Sequence, residues 1–154
     1  MRRLTILISI ITTLACQNQH SKTITPNEVS ETVEAWLGLW ETYDLDLLDE
    51  IFWVDDRTTY FSSEKEGLIE SFDSLIPHHE GFGFVSGGKT PDKSLWLEET
   101  KLEVYNTTAV VSAIWLFGER TAPRDSIQKG PVTFVLIRND SGEVRIAHTH
   151  FANY

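Results

Sequence analysis

A change of hydrophobic period near residue 95 constrains the fold of this 154-residue chain more than any other feature. Before this point apolar residues recur at helical spacing, so that one helix face carries Val29, Val33, Trp36, Leu37 and Trp40. After it they alternate with polar residues, which is typical of half-buried strands. Helices gathered on one face of an antiparallel sheet make an α+β fold, which is the fold class we predict.

Capping and turn signals place the predicted helices. A capping box of Thr25 and Glu28 opens a first helix, which we expect to end near Tyr43. Asp46 is predicted to cap a second, short helix. Residues 63–66 form another capping box, which opens a third helix that stops near Pro77. These three helices are interrupted by one strand within residues 53–62.

The second half of the chain is predicted as a loop followed by a meander. Residues 78–93 contain four glycines, and this predicts a loop in which His78 and His79 are solvated. Four strands follow, over residues 96–105, 109–119, 131–138 and 143–153. The last two are joined by Asn139-Asp140-Ser141-Gly142, a hairpin signal.

Length, composition and charge bound the functional class. The length suits one domain with one core, and an apolar fraction of 41% excludes a disordered chain. A formal net charge of -10 argues against nucleic acid as a partner, because phosphate binding needs a basic surface. The sequence has no glycine-rich phosphate loop, no Gly-x-Ser-x-Gly elbow and no cysteine-based metal site, so we predict no cofactor and no metal.

The N-terminal residues are typical of a targeting segment. A basic start precedes an apolar run over residues 4–14, which is too short to span a bilayer but has the length of a signal-peptide core. Cys16 follows Ala15 as in a bacterial lipoprotein processing site. We predict a signal peptide over residues 1–15, a lipidated Cys16 and tether over residues 16–24, a domain over residues 25–154, and a place in the bacterial cell envelope. The alternative is cleavage after Ala15 that leaves Cys16 free and the domain periplasmic or secreted.

Several short motifs resemble the nuclear transport factor 2-like superfamily in its SnoaL-like branch. They are residues 40–52, Asp55-Asp56, Gly67-Leu68-Ile69, residues 106–111, Trp115 and residues 145–150. The resemblance implies a cone-shaped roll of three N-terminal helices packed on a curved antiparallel sheet, with a deep pocket between the sheet and the first helix. Members include isomerases, dehydratases, epoxide hydrolases, polyketide cyclases and assembly domains, and many dimerise through the outer sheet face.

The acids of the superfamily's ketosteroid isomerases are missing at the matching positions. Their general-base Asp falls near Phe61, and their oxyanion-hole acid falls near Phe134. The resemblance therefore does not extend to isomerase chemistry of that type.

His148 and His150 are the candidate catalytic residues. Two residues apart in a predicted strand, they share one face, and we expect Val144 and Ile146 on that face with Arg145 and Thr149 on the other. Histidine titrates near neutral pH, so either imidazole suits general acid–base work. Passive ligand binding or core capping, and metal ligation with a further ligand, are the alternatives that the spacing leaves open.

The predicted cone interior is aromatic. We expect Trp36, Trp40, Tyr60, Trp115 and Phe134 to line an apolar ligand pocket. The favoured function is an exported or lipid-anchored domain that binds an apolar small molecule. The alternatives are a small lyase, isomerase or hydrolase that uses His148 or His150, and a homodimeric assembly module.

Overall fold

The computed structural model describes residues 23–154 and has the predicted α+β architecture. Three helices precede most of the sheet: α1 (Pro26–Thr42), α2 (Leu48–Ile51) and α3 (Phe72–Gly81). Six strands complete the fold: β1 (Thr59–Phe61), β2 (Leu68–Glu70), β3 (Ser94–Tyr105), β4 (Thr108–Gly118), β5 (Gln128–Arg138) and β6 (Val144–Phe151). The predicted signal peptide, Cys16 and the tether as far as residue 22 lie outside the described residues.

The strands form one sheet in the order β2-β1-β6-β5-β4-β3. All neighbouring pairs are antiparallel except β1 and β6, which run parallel and bring Tyr60 opposite Thr149. The ladder is interrupted at two β-bulges, one within β3 after Glu98 and one in β6 at Ala147. Such bulges bend a strand and increase its twist, and so they help the sheet to curve.

Helix α1 begins and ends as its sequence predicts. The Glu28 backbone N–H donates to Thr25 Oγ1 and the Thr25 N–H donates to Glu28 Oε2, which completes the capping box. Tyr43, at a φ of 51°, ends the helix in the left-handed conformation. Arg138 of β5 donates to Glu28 Oε2 at 2.9 Å, and this contact lowers the pKa of Glu28 to about 2. The N-terminus of α1 is therefore fixed to the sheet by an ion pair.

The core lies between α1 and the concave face of the sheet. Trp36 is fully buried, with its ring centroid 4.8 Å from that of Phe134 on β5 and 5.8 Å from that of Phe151 on β6. Inward residues of the central strands complete this layer, namely Ala109, Val111, Ala113, Val132, Leu136 and Ile146. The large aromatic residues thus fix the distance between helix and sheet.

The segment between α1 and β3 differs from its prediction. Asp44, and not Asp46, caps the turn before α2, while the Asp46 carboxylate accepts hydrogen bonds from Ser86 Oγ and the Gly87 N–H. Residues 63–66 do not start a helix; the chain instead forms β2, and Ser71 caps α3. Local capping propensity is overridden here because pairing with β1 buries Ile69.

Helix α3 continues through Pro77 to Gly81, so the predicted loop begins later than expected. Pro77 removes one helical hydrogen bond, but buried Leu75 and His79 hold the turns on both sides of it against the core. Within residues 23–154 no helix combines the length and the apolar character needed to cross a bilayer.

Candidate functional site

A small cavity of about 50 Å³ lies between α1, β1 and the concave face of the sheet. Six of its lining residues are aromatic: Trp40, Tyr60, Phe82, Trp115, Phe117 and Phe151. The others are Leu95 and four polar residues at its edge, Ser62, Ser63, Glu64 and Gln128. Among the described residues that line the cavity, only Glu64 is charged.

The aromatic rings around the cavity form two rows of contacts. In one row Trp40 contacts both Phe82 and Phe117, each at a centroid distance of 5.9 Å. In the other row Phe151 contacts both Tyr60 and Trp115, each at 5.8 Å. Trp36 connects the two rows, because its ring contacts Trp40 of the first row and Phe151 of the second.

Three of the five predicted pocket residues line the cavity. They are Trp40, Tyr60 and Trp115, whereas Trp36 and Phe134 do not line it. Trp36 and Phe134 are both fully buried and pack edge to face against each other, so they fill the space that an open cone would leave there. Phe82, Phe117 and Phe151 line the cavity and were missed as pocket residues.

Two of the buried residues that line the cavity, within the described part of the chain, carry a donor without a partner: the Tyr60 hydroxyl and the buried Nε1–H of Trp40. Tyr60 is only 3% exposed and lines the cavity, and its hydroxyl has no hydrogen-bond partner among residues 23–154. Burial raises the pKa of this phenol, so the hydroxyl stays protonated at neutral pH and is a hydrogen-bond donor. A bound molecule with an acceptor atom would supply the partner that the protein does not.

Two imidazoles predicted to be solvated lie behind Tyr60 instead. His79 is 1% exposed, and its Nδ1–H donates to the Leu75 carbonyl at 2.8 Å. The ring centroids of His78 and His79 lie 5.2 and 5.9 Å from that of Tyr60. Nε2 of each imidazole is buried and has no partner within residues 23–154. Because Nδ1 of His79 carries the proton, its Nε2 is an acceptor.

Burial keeps both of these histidines neutral. It lowers the pKa of His79 from 6.5 to about 4, against the raising effect of the Leu75 hydrogen bond and with a smaller lowering effect from His78. Burial also lowers the pKa of His78, and the positive charge of Lys65 adds to this effect. The histidines beside Tyr60 therefore contribute neutral hydrogen-bonding groups to the interior rather than buried charges.

His148 and His150 face the opposite side of the sheet from the cavity, which corrects the predicted orientation. Pairing places them beside Val135 and Thr133, whereas Thr149 pairs with Phe134 on the concave face. The cause is the bulge at Ala147, since one extra residue moves every later side chain to the other face. Val144 and Ile146 point inward as predicted, but Thr149 and Phe151 then replace the histidines.

On the convex face the two histidines have neighbours of their own. His148 Nδ1 shares a hydrogen bond with Thr59 Oγ1 at 2.8 Å, and both imidazoles lie against Phe61. Partial burial lowers the pKa of His148, and repulsion from His150 lowers it further. Among residues 23–154, no three side chains of histidine, cysteine, aspartate or glutamate converge as a metal site would require.

Comparison with known proteins identifies the fold. No protein-family model and no curated protein matches the sequence. Solved structures do match: a nuclear transport factor 2-like superfamily protein from Salmonella enterica is 20% identical, with a TM-score of 0.66 over 82% of this chain and 89% of that one. A putative ketosteroid isomerase from Parabacteroides distasonis is 18% identical, with a TM-score of 0.64 over 89% and 93%.

A third similar structure has a different description. It is a putative calcium/calmodulin dependent protein kinase II association domain from Xanthomonas campestris, 14% identical, with a TM-score of 0.65 over 87% of this chain and 94% of that one. The chain thus has the nuclear transport factor 2-like cone fold. At these identities the fold is what is shared, and function has to be argued from the site.

The buried His79 makes stability depend on pH between about 4 and 6.5. In this interval the unfolded chain binds a proton that the folded chain does not, so we expect stability to rise with pH. His79→Phe keeps a ring in the core and removes this titration. Urea unfolding at several pH values checks the prediction, and the stability of the variant is expected to rise less steeply with pH than that of the parent. Their difference at pH 8 measures the change in packing together with the lost hydrogen bond to the Leu75 carbonyl. Equal slopes would contradict it.

Proposed function

We propose that this domain binds a small molecule in the aromatic cavity beside α1. The observation that carries the proposal is the unpaired Tyr60 hydroxyl inside a cavity lined by six rings. Ligand sites in proteins are typically apolar and aromatic, with a few polar groups that fix orientation. Tyr60 is such a group, and Ser62, Ser63 and Gln128 offer others at the cavity edge.

The size of the cavity restricts the ligand. Pockets for drug-sized molecules measure roughly 300–1,000 Å³, and this cavity is well below that range at about 50 Å³. Trp36 and Phe134 occupy the space behind it. The ligand we propose is therefore no larger than a single ring or a compact branched group, and a steroid does not fit this conformation.

The proposed acid–base role of His148 and His150 receives no support from this geometry. Neither residue lines the cavity, and both lie on the convex face. The imidazoles near the cavity are those of His78 and His79, which contact Tyr60. An enzymatic role in the proposed cavity would have to begin from Tyr60 and these two histidines.

Removing the Tyr60 hydroxyl tests the ligand site. We expect single-ring compounds with an oxygen acceptor to raise the melting temperature of the protein, because a ligand that binds only the folded state stabilises it. Tyr60→Phe keeps the ring and is expected to lose roughly 0.5–1.5 kcal/mol of binding free energy, about that of one hydrogen bond. Tyr105→Phe, which changes an exposed tyrosine on the convex face, is the matched control. The proposal fails if no such compound shifts the melting temperature.

A second candidate function, assembly through the convex face, rests on a separate observation. This face carries the partly exposed apolar side chains of Val110, Ile114, Val135 and Ile137, and Phe61 is 37% exposed at its edge. Charged residues border the patch, because Glu98, paired with Arg124, lies opposite Ile114, and Arg145 lies opposite Ile137. An exposed apolar patch of this kind is typical of an interface. We propose that it pairs with a second copy of this chain, and the similar structure from Xanthomonas campestris is described as an association domain.

Sedimentation velocity at low micromolar concentration tests the assembly. We expect the parent protein to sediment as a dimer and Val135→Lys to sediment as a monomer, because a buried ammonium without a partner disrupts an apolar interface. Val85→Lys, at an exposed valine outside the sheet, is expected to leave the dimer intact. A parent protein that sediments as a monomer would contradict the proposal.

The export of the domain and its lipid anchor remain proposals from sequence. They depend on residues 1–16, which precede the described part of the chain. Labelling with palmitate in a bacterial host checks them: the full chain is expected to incorporate label and to fractionate with membranes, whereas Cys16→Ser does neither. Label in neither protein, with a mature N-terminus at Cys16, would instead support the ordinary signal peptide.

A further inference from the structure

We propose that the cavity is a cage for a small organic cation, such as the trimethylammonium head of a larger molecule. This inference deepens the proposed ligand-binding function and rests on it. Six aromatic residues and one acidic residue, the exposed Glu64, line the cavity, and no lysine, arginine or histidine does so among the described residues. Aromatic rings with a carboxylate are the combination that attracts a desolvated ammonium, because the ring faces carry negative charge density.

Neighbouring rings around the cavity meet at steep angles. The Trp40 plane lies at 62° to that of Phe82 and at 67° to that of Phe117, and Trp115 lies at 65° to Phe151. Rings at steep angles enclose a volume from several sides, whereas stacked rings would present one surface. A compact cation gains from each face that it contacts, and a group of this shape matches the small volume of the cavity.

Glu64 supplies the negative charge at the cavity edge. Its backbone N–H donates to Ser62 Oγ at 3.1 Å, which orders the turn that carries it. Among residues 23–154 the Glu64 carboxylate has no ion-pair partner, although five other acidic residues do: Glu28, Asp55, Glu98, Glu103 and Glu143. The net charge of -10 adds a long-range field that favours cations.

Lysines lie close to the cavity but do not line it, and Lys65, which follows Glu64 in the chain and acts on His78, is one of them. Lys89 and Lys93 line a neighbouring open cleft of about 370 Å³, which shares Phe82 and Phe117 with the cavity and also contains Asp92. Lys93 Nζ lies 5.6 Å from the Phe117 ring centroid and Lys89 Nζ lies 5.5 Å from that of Tyr43. An aromatic acid whose carboxylate reaches these lysines is thus the competing ligand class. We favour the cation because the acidic residue Glu64 lines the cavity itself, while Lys89 and Lys93 line only the cleft.

Three probes of one shape and different charge test the inference. Choline carries the trimethylammonium group, 3,3-dimethylbutan-1-ol is its neutral carbon counterpart, and 3,3-dimethylbutanoate is an anion. Calorimetry on the full chain, followed by quenching of the cavity tryptophans, is expected to show choline binding roughly tenfold more tightly than the alcohol. Glu64→Gln is expected to reduce choline affinity several-fold and to leave the alcohol unchanged. Glu66→Gln, an exposed acid that does not line the cavity, is the matched control.

The outcomes separate this inference from the proposed function. If the alcohol binds as tightly as choline, the cation cage is overturned and the ligand site stands. If the butanoate binds most tightly and Lys93→Gln weakens it, the ligand class is the anion. Under our proposal Lys93→Gln instead strengthens choline binding, because it removes a nearby positive charge. If none of the probes binds, and single-ring compounds also fail, both proposals are wrong.

Discussion

The contact between Trp36 and the concave face of the sheet is the interaction on which the rest of the structure depends. Its ring packs against Phe134 on β5 and Phe151 on β6, and so joins α1 to the two strands at the middle of the sheet. Removing a buried aromatic side chain of this kind typically costs about 3–5 kcal/mol of stability. The same ring also closes the back of the cavity, so the position of α1 determines both the core and the space left for a ligand.

The sequence predicts those parts of the fold that depend on local chemistry. The capping box at Thr25 and the period-two pattern after residue 95 correspond to α1 and the meander. The parallel pairing of β1 with β6 could not be derived, because it joins residues far apart in the chain. Residues 63–66 carry a valid capping box that stays unused once β2 pairs with β1. Local propensity fails where a distant partner offers more burial.

The candidate site was predicted only in part, for a reason that is visible in β6. Ile146 and Phe151 are both buried although they are an odd number of residues apart, so strict alternation cannot place both inside. A bulge between them resolves this conflict and turns His148 and His150 outward. The odd spacing of Ile146 and Phe151 is therefore the sequence feature from which the bulge could have been predicted. No comparable signal marks His79, because the sequence around Pro77 predicts the end of a helix rather than its middle.

The parallel pair of β1 and β6 has a consequence for the assembly of the site. Tyr60 and Phe151 meet only when segments about 90 residues apart have come together, as in the Thr59–His148 hydrogen bond with a separation of 89. Bringing such distant segments together costs loop-closure entropy. The cavity is complete only when α1, β1, β4 and β6 are all in place, since each contributes an aromatic lining residue. A ligand of the cavity therefore binds only the folded domain, and the fraction of protein that binds ligand measures the fraction that is correctly folded.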